Sequence, residues 1–123
     1  MPNDSSLALP AKSFDCNGMS EQKLILTTAG SKEEAAKIAD ALVGERLAAC
    51  VNIVGPIDSV YRWQGNIERA QEFLFVIKTT SALSQRVQTR IRELHSYELP
   101  EAIELDIAGG SAEYLSWICQ SVS

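Results

Sequence analysis

Three islands of polar and aromatic residues hold the side chains able to do chemistry: Tyr61-x-Trp63-x-Gly65-x-Ile67, the stretch Glu72 to Lys78, and His95-Ser96-Tyr97-Glu98-Leu99-Pro100-Glu101. Their types suit binding better than catalysis. Tyr61 and Trp63 are two apart, so in a strand they share a face and offer flat apolar surface with a polar edge. Lys78 ends an apolar run, where its ammonium would be desolvated unless paired. Glu72 has the right charge, but it lies three pleats away on the same face, out of reach within one chain. A second copy of the chain is expected to supply the partner. Tyr61, Trp63, Glu72, Lys78, Tyr97 and Glu101 are therefore the candidate ligand-binding residues. The plainer alternative is that the aromatics simply pack in a subunit interface, and interfaces are themselves common sites for small ligands.

Metal and enzyme patterns are thin. His95 is the sole histidine, and a transition-metal site usually takes three or four ligands. Its plain reading is a cationic group near a helix C-terminus. Its functional reading is a metal ligand that joins Glu98, Glu101 or another chain. The copper-carrying route through a Cys-x-x-Cys after the first strand is excluded, because Thr27-Thr28-Ala29-Gly30-Ser31 contains no thiolate. Cys50 and Cys119 read as small hydrophobes and Cys16 as an oxidation-prone thiol. No nucleophile has a motif that places a base beside it, and neither Gly-rich phosphate-binding motif occurs. A protein without enzymatic activity or organic cofactor is expected.

The chain has 123 residues and a net charge of −5, enough length for one domain and no basic run of the kind that binds nucleic acid. No apolar run approaches the roughly 20 residues that cross a bilayer. The first residues lack the basic and apolar regions of a secretory signal. Three widely spaced cysteines argue against a disulfide framework. A cytoplasmic protein with no membrane or nucleic-acid partner is expected.

The elements that must position these islands follow from periodicity. Residues 1–21 mix Ser, Pro, Asn and Asp without pattern and read as a flexible extension in which Met19 is a possible natural start. Residues 22–123 form the domain. Lys23 to Thr28 is β-branched and apolar, a strand. Ser31-Lys32-Glu33-Glu34 matches a capping box, and Ala35, Ile38, Ala39, Leu42 and Val43 recur at helical spacing. Ala48 to Val54 and Ile57 to Trp63 read as strand segments separated at Gly55-Pro56, a bulge or an edge. Gln64-Gly65-Asn66 supplies a hairpin turn, and Ile67 to Thr79 returns. Leu83, Val87, Ile91 and Leu94 mark a second helix, Ala102 to Ile107 a last strand, and Ser111 opens a short C-terminal helix with Tyr114, Leu115 and Ile118 inward. This is an α+β, ferredoxin-like β-α-β-β-α-β order with an extended hairpin. Two helices are too short to shield so long a hairpin and lie on only one face of the sheet. Phe73, Phe75 or their neighbours therefore require cover from another copy, and a homo-oligomer is expected.

Glu45 to Ile53 (E-R-L-A-A-C-V-N-I), S-x-Y-x-W-x-G at Ser59 to Gly65, Glu72, K-T-T at Lys78 to Thr80, H-S-Y-E-L-P-E and Y-L-S-W at Tyr114 to Trp117 resemble the CutA family of divalent-cation tolerance proteins, over about residues 23 to 119. The resemblance implies a stable cytoplasmic homotrimer of ferredoxin-like subunits with hairpins packed between neighbours. It also implies a link to tolerance of copper and other divalent cations. Some bacterial members carry a Cys in the first loop and adjacent histidines; the matching positions here are Thr27, Leu94 and His95, with Ser96 replacing the usual Pro. One candidate ligand survives, so weak divalent-cation binding is the expectation. The trimer is also similar to that of the PII signalling proteins, which bind small effectors between subunits. A PII-like sensor, or a structural anchor for a partner protein, is the alternative.

Overall fold

The computed structural model describes residues 21–123; the expected N-terminal extension, with Cys16 and Met19, lies outside them. The elements are β1 (Gln22–Ala29), α1 (Lys32–Gly44), β2 (Cys50–Trp63), β3 (Asn66–Thr80), α2 (Ser81–Leu94), β4 (Ile103–Asp106) and α3 (Ala112–Ser121). The strands form one sheet in the order β2-β3-β1-β4, each neighbouring pair antiparallel. This is the expected ferredoxin-like α+β arrangement.

Ser31 caps α1 by accepting a hydrogen bond from the Glu34 backbone N–H at 3.1 Å. The reciprocal half of the capping box does not form. The Glu34 carboxylate accepts instead from the Ser96 N–H at 2.7 Å and the Ser96 hydroxyl at 3.0 Å. Ser96 offers two donors where Ser31 would offer one, so Glu34 ties the loop after α2 to the start of α1.

β1 runs through Ala29, one residue beyond the expected end at Thr28, so the stretch from Thr27 to Ala29 belongs to the strand. β2 is continuous through Gly55-Pro56, whose peptide is cis. It is an edge strand, so the missing proline N–H removes nothing from the sheet's interior ladder. The register steps from Val54 opposite Leu74 to Ile57 opposite Glu72, a one-residue bulge. At the far end Trp63 pairs with Asn66, leaving a two-residue turn of Gln64 (φ 51°) and Gly65 (φ 85°). Both angles are left-handed, as a tight hairpin turn requires, and glycine adopts its angle without strain. Asn66 belongs to the ladder, not to the turn.

Alternation along β3 sorts its apolar run onto two faces. Phe75 and Ile77 are fully buried with Ile25, Ile38, Leu42, Val87 and Ile91, and Phe73 packs against this cluster. Phe75 therefore has its cover from α1 and α2, and of the residues expected to need a second chain it is the neighbours Leu74 and Val76 that face away from the helices. The uncovered side is the opposite one. Its rows cross the sheet from Asn52 through Val76 and Leu26 to Ile103, and from Cys50 through Lys78 and Leu24 to Leu105. Leu24, Leu26, Leu74 and Val76 are half-buried there, and Ile103 and Leu105 are 49% and 42% exposed. α3 covers only one end of this face, where Gln22 bonds the Leu115 carbonyl and Lys78 meets Tyr114. Cys50 is a free thiol. Cys119 is not, since its sulfur is engaged, which corrects its reading as simply a small hydrophobe.

Candidate functional site

The loop after α2 folds back over the open face of the sheet, at the end opposite α3. Between that loop and the outer hairpin lies a groove of about 740 Å³. The bulge decides which side chains line it. Before the bulge, the even-numbered residues of β2 share a face with Leu74 and Val76; after it, Ile57, Ser59, Tyr61 and Trp63 do so. One inserted residue puts Tyr61 and Trp63, in place of Arg62, on the groove side of the hairpin.

Glu72 forms the floor and is 7% exposed. Its Oε2 accepts from the Tyr97 hydroxyl at 2.6 Å and from the Thr28 hydroxyl at 3.4 Å. Burial, and next the hydrogen bond and charge of Glu72, push the Tyr97 phenol well above its usual range, so Tyr97 stays a donor. Glu101 lies on the groove wall. Burial, then repulsion from Glu72, raise its carboxyl above the ordinary value.

His95 holds Tyr97 in place. Its side chain is 0% exposed. Nε2 lies 2.6 Å from the Thr28 carbonyl, which can only accept, and Nδ1 lies 3.0 Å from the Tyr97 N–H, which can only donate. The neutral ring protonated on Nε2 satisfies both partners. The two rings sit 4.5 Å apart. A metal ion at either nitrogen would have to displace a backbone partner. Among the described residues no three of His, Cys, Asp and Glu gather closely enough to hold an ion.

Of the six residues expected to form the cleft, Tyr61, Trp63, Glu72, Tyr97 and Glu101 line the groove and Lys78 does not. Lys78 is six residues from Glu72 along β3, roughly 20 Å at strand rise. There it lies under α3, where its Nζ donates to the Tyr114 hydroxyl at 3.4 Å and sits 5.6 Å from the centre of that ring. Tyr114 of the same chain thus supplies a partner where one was expected from a second chain. Sequence reasoning missed Thr28, Ile57 and Leu74 as groove residues, because their placement depends on the bulge and on pairing between distant strands. It also read Glu34 only as a cap.

A family profile described as CutA1 divalent ion tolerance protein matches residues 23–121. The chain belongs to this family. It is 47% identical over 97 residues to the divalent-cation tolerance protein CutA of Thermus thermophilus, covering 79% of this chain and 94% of that one. It is 41% identical over 98 residues to the chloroplastic protein CutA of Arabidopsis thaliana, covering 80% of this chain and 54% of the relative. The chain thus spans about half the length of that plant relative. Among solved structures, CutA of Xylella fastidiosa superposes with a TM-score of 0.82 at 42% identity, covering 85% of this chain and 100% of that one. Both bacterial proteins are matched over nearly their full length.

Proposed function

We propose that this protein acts in tolerance of divalent cations, copper among them, as a cytoplasmic homotrimer that binds ions weakly at clefts between subunits and turns over no substrate. Family membership over residues 23–121 carries the reading. The groove supports the binding part of it, since Glu72, Glu98 and Glu101 line one cavity. Carboxylates favour hard ions and hold copper less firmly than thiolate or several imidazoles would. The apolar sheet face beside the groove supports the trimer, because further copies would cover Val76, Ile103 and Leu105. Donors from a neighbouring subunit would then complete a set that one chain leaves short. His95 joins such a set only by giving up a backbone partner.

Isothermal titration of the metal-stripped protein with Cu(II) and Zn(II), beside a control ion, tests this reading. The expected result is saturable uptake of one ion per subunit at about micromolar affinity, weakened by Glu101→Gln. Loss of binding in His95→Ala with the fold intact would place the imidazole among the ligands. Absence of heat with both ions would overturn direct binding. A second reading, a small-molecule sensor of the PII kind, draws support from the groove itself, whose volume falls within the range of roughly 300–1,000 Å³ typical of ligand pockets.

A further inference from the structure

The sign of charge in the groove is opposite to what a Lys78-centred site would give. Its lining contains Glu72, Glu98 and Glu101 but no Lys, Arg or His among the described residues. Glu72 is buried to 7% exposure, and both of its hydrogen bonds fall on Oε2. Oε1 accepts from no described residue and belongs to a side chain that faces the cavity. The surrounding surface is apolar and aromatic: Ile57, Leu74, Tyr61 and Trp63. We propose, resting on the sensor reading of this groove, that it is a binding site for a small organic ammonium ion. The charged head meets the free oxygen of Glu72, and the apolar body lies against Tyr61, Trp63 and Leu74.

The chemistry selects this class over its neighbours. An organic anion would meet three carboxylates and no counter-charge. Within one chain a bare divalent ion would exchange several water oxygens for an apolar wall and one unpartnered oxygen of Glu72, and an ion that wants six or more oxygen ligands would need the donors of a neighbouring subunit that an ammonium ion does without. An ammonium group needs few acceptors, and aromatic faces attract it in addition. Tyr97 and Thr28 hold Glu72 in position before any ligand arrives, which limits the ordering cost of binding. A bound cation also relieves the repulsion between Glu72 and Glu101 that raises the Glu101 carboxyl.

Three probes with one body and different heads test the proposal: benzylammonium, benzyl alcohol and benzoate. Each is titrated calorimetrically into the intact protein with EDTA present. Saturable binding of benzylammonium is expected, with at least tenfold weaker binding of the alcohol and none of benzoate. Glu72→Gln should weaken benzylammonium at least tenfold and leave the alcohol unchanged. Trp63→Ala, at the exposed end of the hairpin, should weaken both and folds whatever the role of Glu72. Lys78→Ala should change neither. No saturable binding of benzylammonium, equal binding of all three probes, or indifference to both Glu72→Gln and Trp63→Ala would overturn the proposal. Because EDTA removes metal ions, failure here with Cu(II) or Zn(II) still bound in the earlier titration refutes the ammonium site alone.

Discussion

The Tyr97 hydroxyl donates to the Glu72 carboxylate at 2.6 Å, joining the loop after α2 to the middle of the longest strand. This contact closes the groove at one end and fixes a buried charge at its floor. His95 and Glu34 support it from behind, through the Tyr97 and Ser96 backbone N–H groups. The groove's shape therefore depends on a chain of polar contacts rather than on packing alone.

Tyr97→Phe removes the donor and leaves Glu72 with the longer Thr28 contact. The expected cost is about 1–3 kcal/mol, the range for depriving a buried polar group of its partner. Urea denaturation at neutral pH measures it. Tyr97 has a folded pKa above its unfolded value near 10. Its contribution is thus complete below pH 10 and is lost as pH rises through the folded value. Stability of the wild type should fall above pH 10, and the variant should lack that part of the slope.

Glu101 shifts in the same direction, upward from 4.5. The folded state therefore holds this proton more tightly than the unfolded state, and ionisation of Glu101 opposes folding. Stability from the retained proton is complete below pH 4.5 and is lost as pH rises through the folded value. Glu101→Gln should accordingly be stabilising at pH 7 and close to neutral near pH 3. The gain should stay below about 1 kcal/mol because the side chain keeps contact with solvent. Chemical denaturation of both proteins at the two pH values checks it.

Ser31→Ala removes the α1 cap and should cost about 0.5–2 kcal/mol. Glu34→Ala leaves that cap in place but frees Ser96. Amide exchange should separate the two variants, the first speeding exchange in the first turn of α1 and the second at Ser96 and Tyr97.

Leu42→Ala and Phe75→Ala truncate side chains that are fully buried in the helix-side core. Costs of about 2–5 and 3–5 kcal/mol are expected from lost burial and residual cavity. Denaturant midpoints at unchanged slope would confirm that the loss is one of stability.

Val76→Asp places a charge in the middle of the open sheet face and leaves the helix-side core untouched. If that face is the subunit interface, sedimentation at micromolar concentration should show the wild type at three times the mass of this variant. A wild type that sediments as a monomer would remove the trimer from the proposed function.

Element order, the helical stripes and the Ser31 cap were legible in the sequence, because each depends on residues within a few positions of one another. Tyr61, Trp63, Glu72, Tyr97 and Glu101 could be picked out by type. Lys78 was misplaced because distance along β3 was weighed without knowing that Tyr114 returns from α3 to meet it. The covered side of β3 was similarly ambiguous: Phe73-Leu74-Phe75-Val76-Ile77 is apolar in both parities, so only tertiary pairing shows that Phe75 faces the helices and Val76 does not. The second role of Glu34 had no local signal, since its partner is 62 residues away.

β1 lies inside the sheet, with β3 on one side and β4 on the other. Its pairing with β4 matches Lys23 to Asp106, whose side chains also join, 83 residues apart in sequence. A chain emerging from a ribosome therefore presents this interior strand well before the neighbour that completes it. Until then Lys23 lacks its carboxylate, and one edge of β1 can pair with any other extended segment. Such late, distant pairing slows folding and leaves nascent chains open to wrong association. The four residues of β4 thus act as a lock that closes only after the other three strands and the two helices between them have been made, and they are decisive for a strand 83 residues earlier.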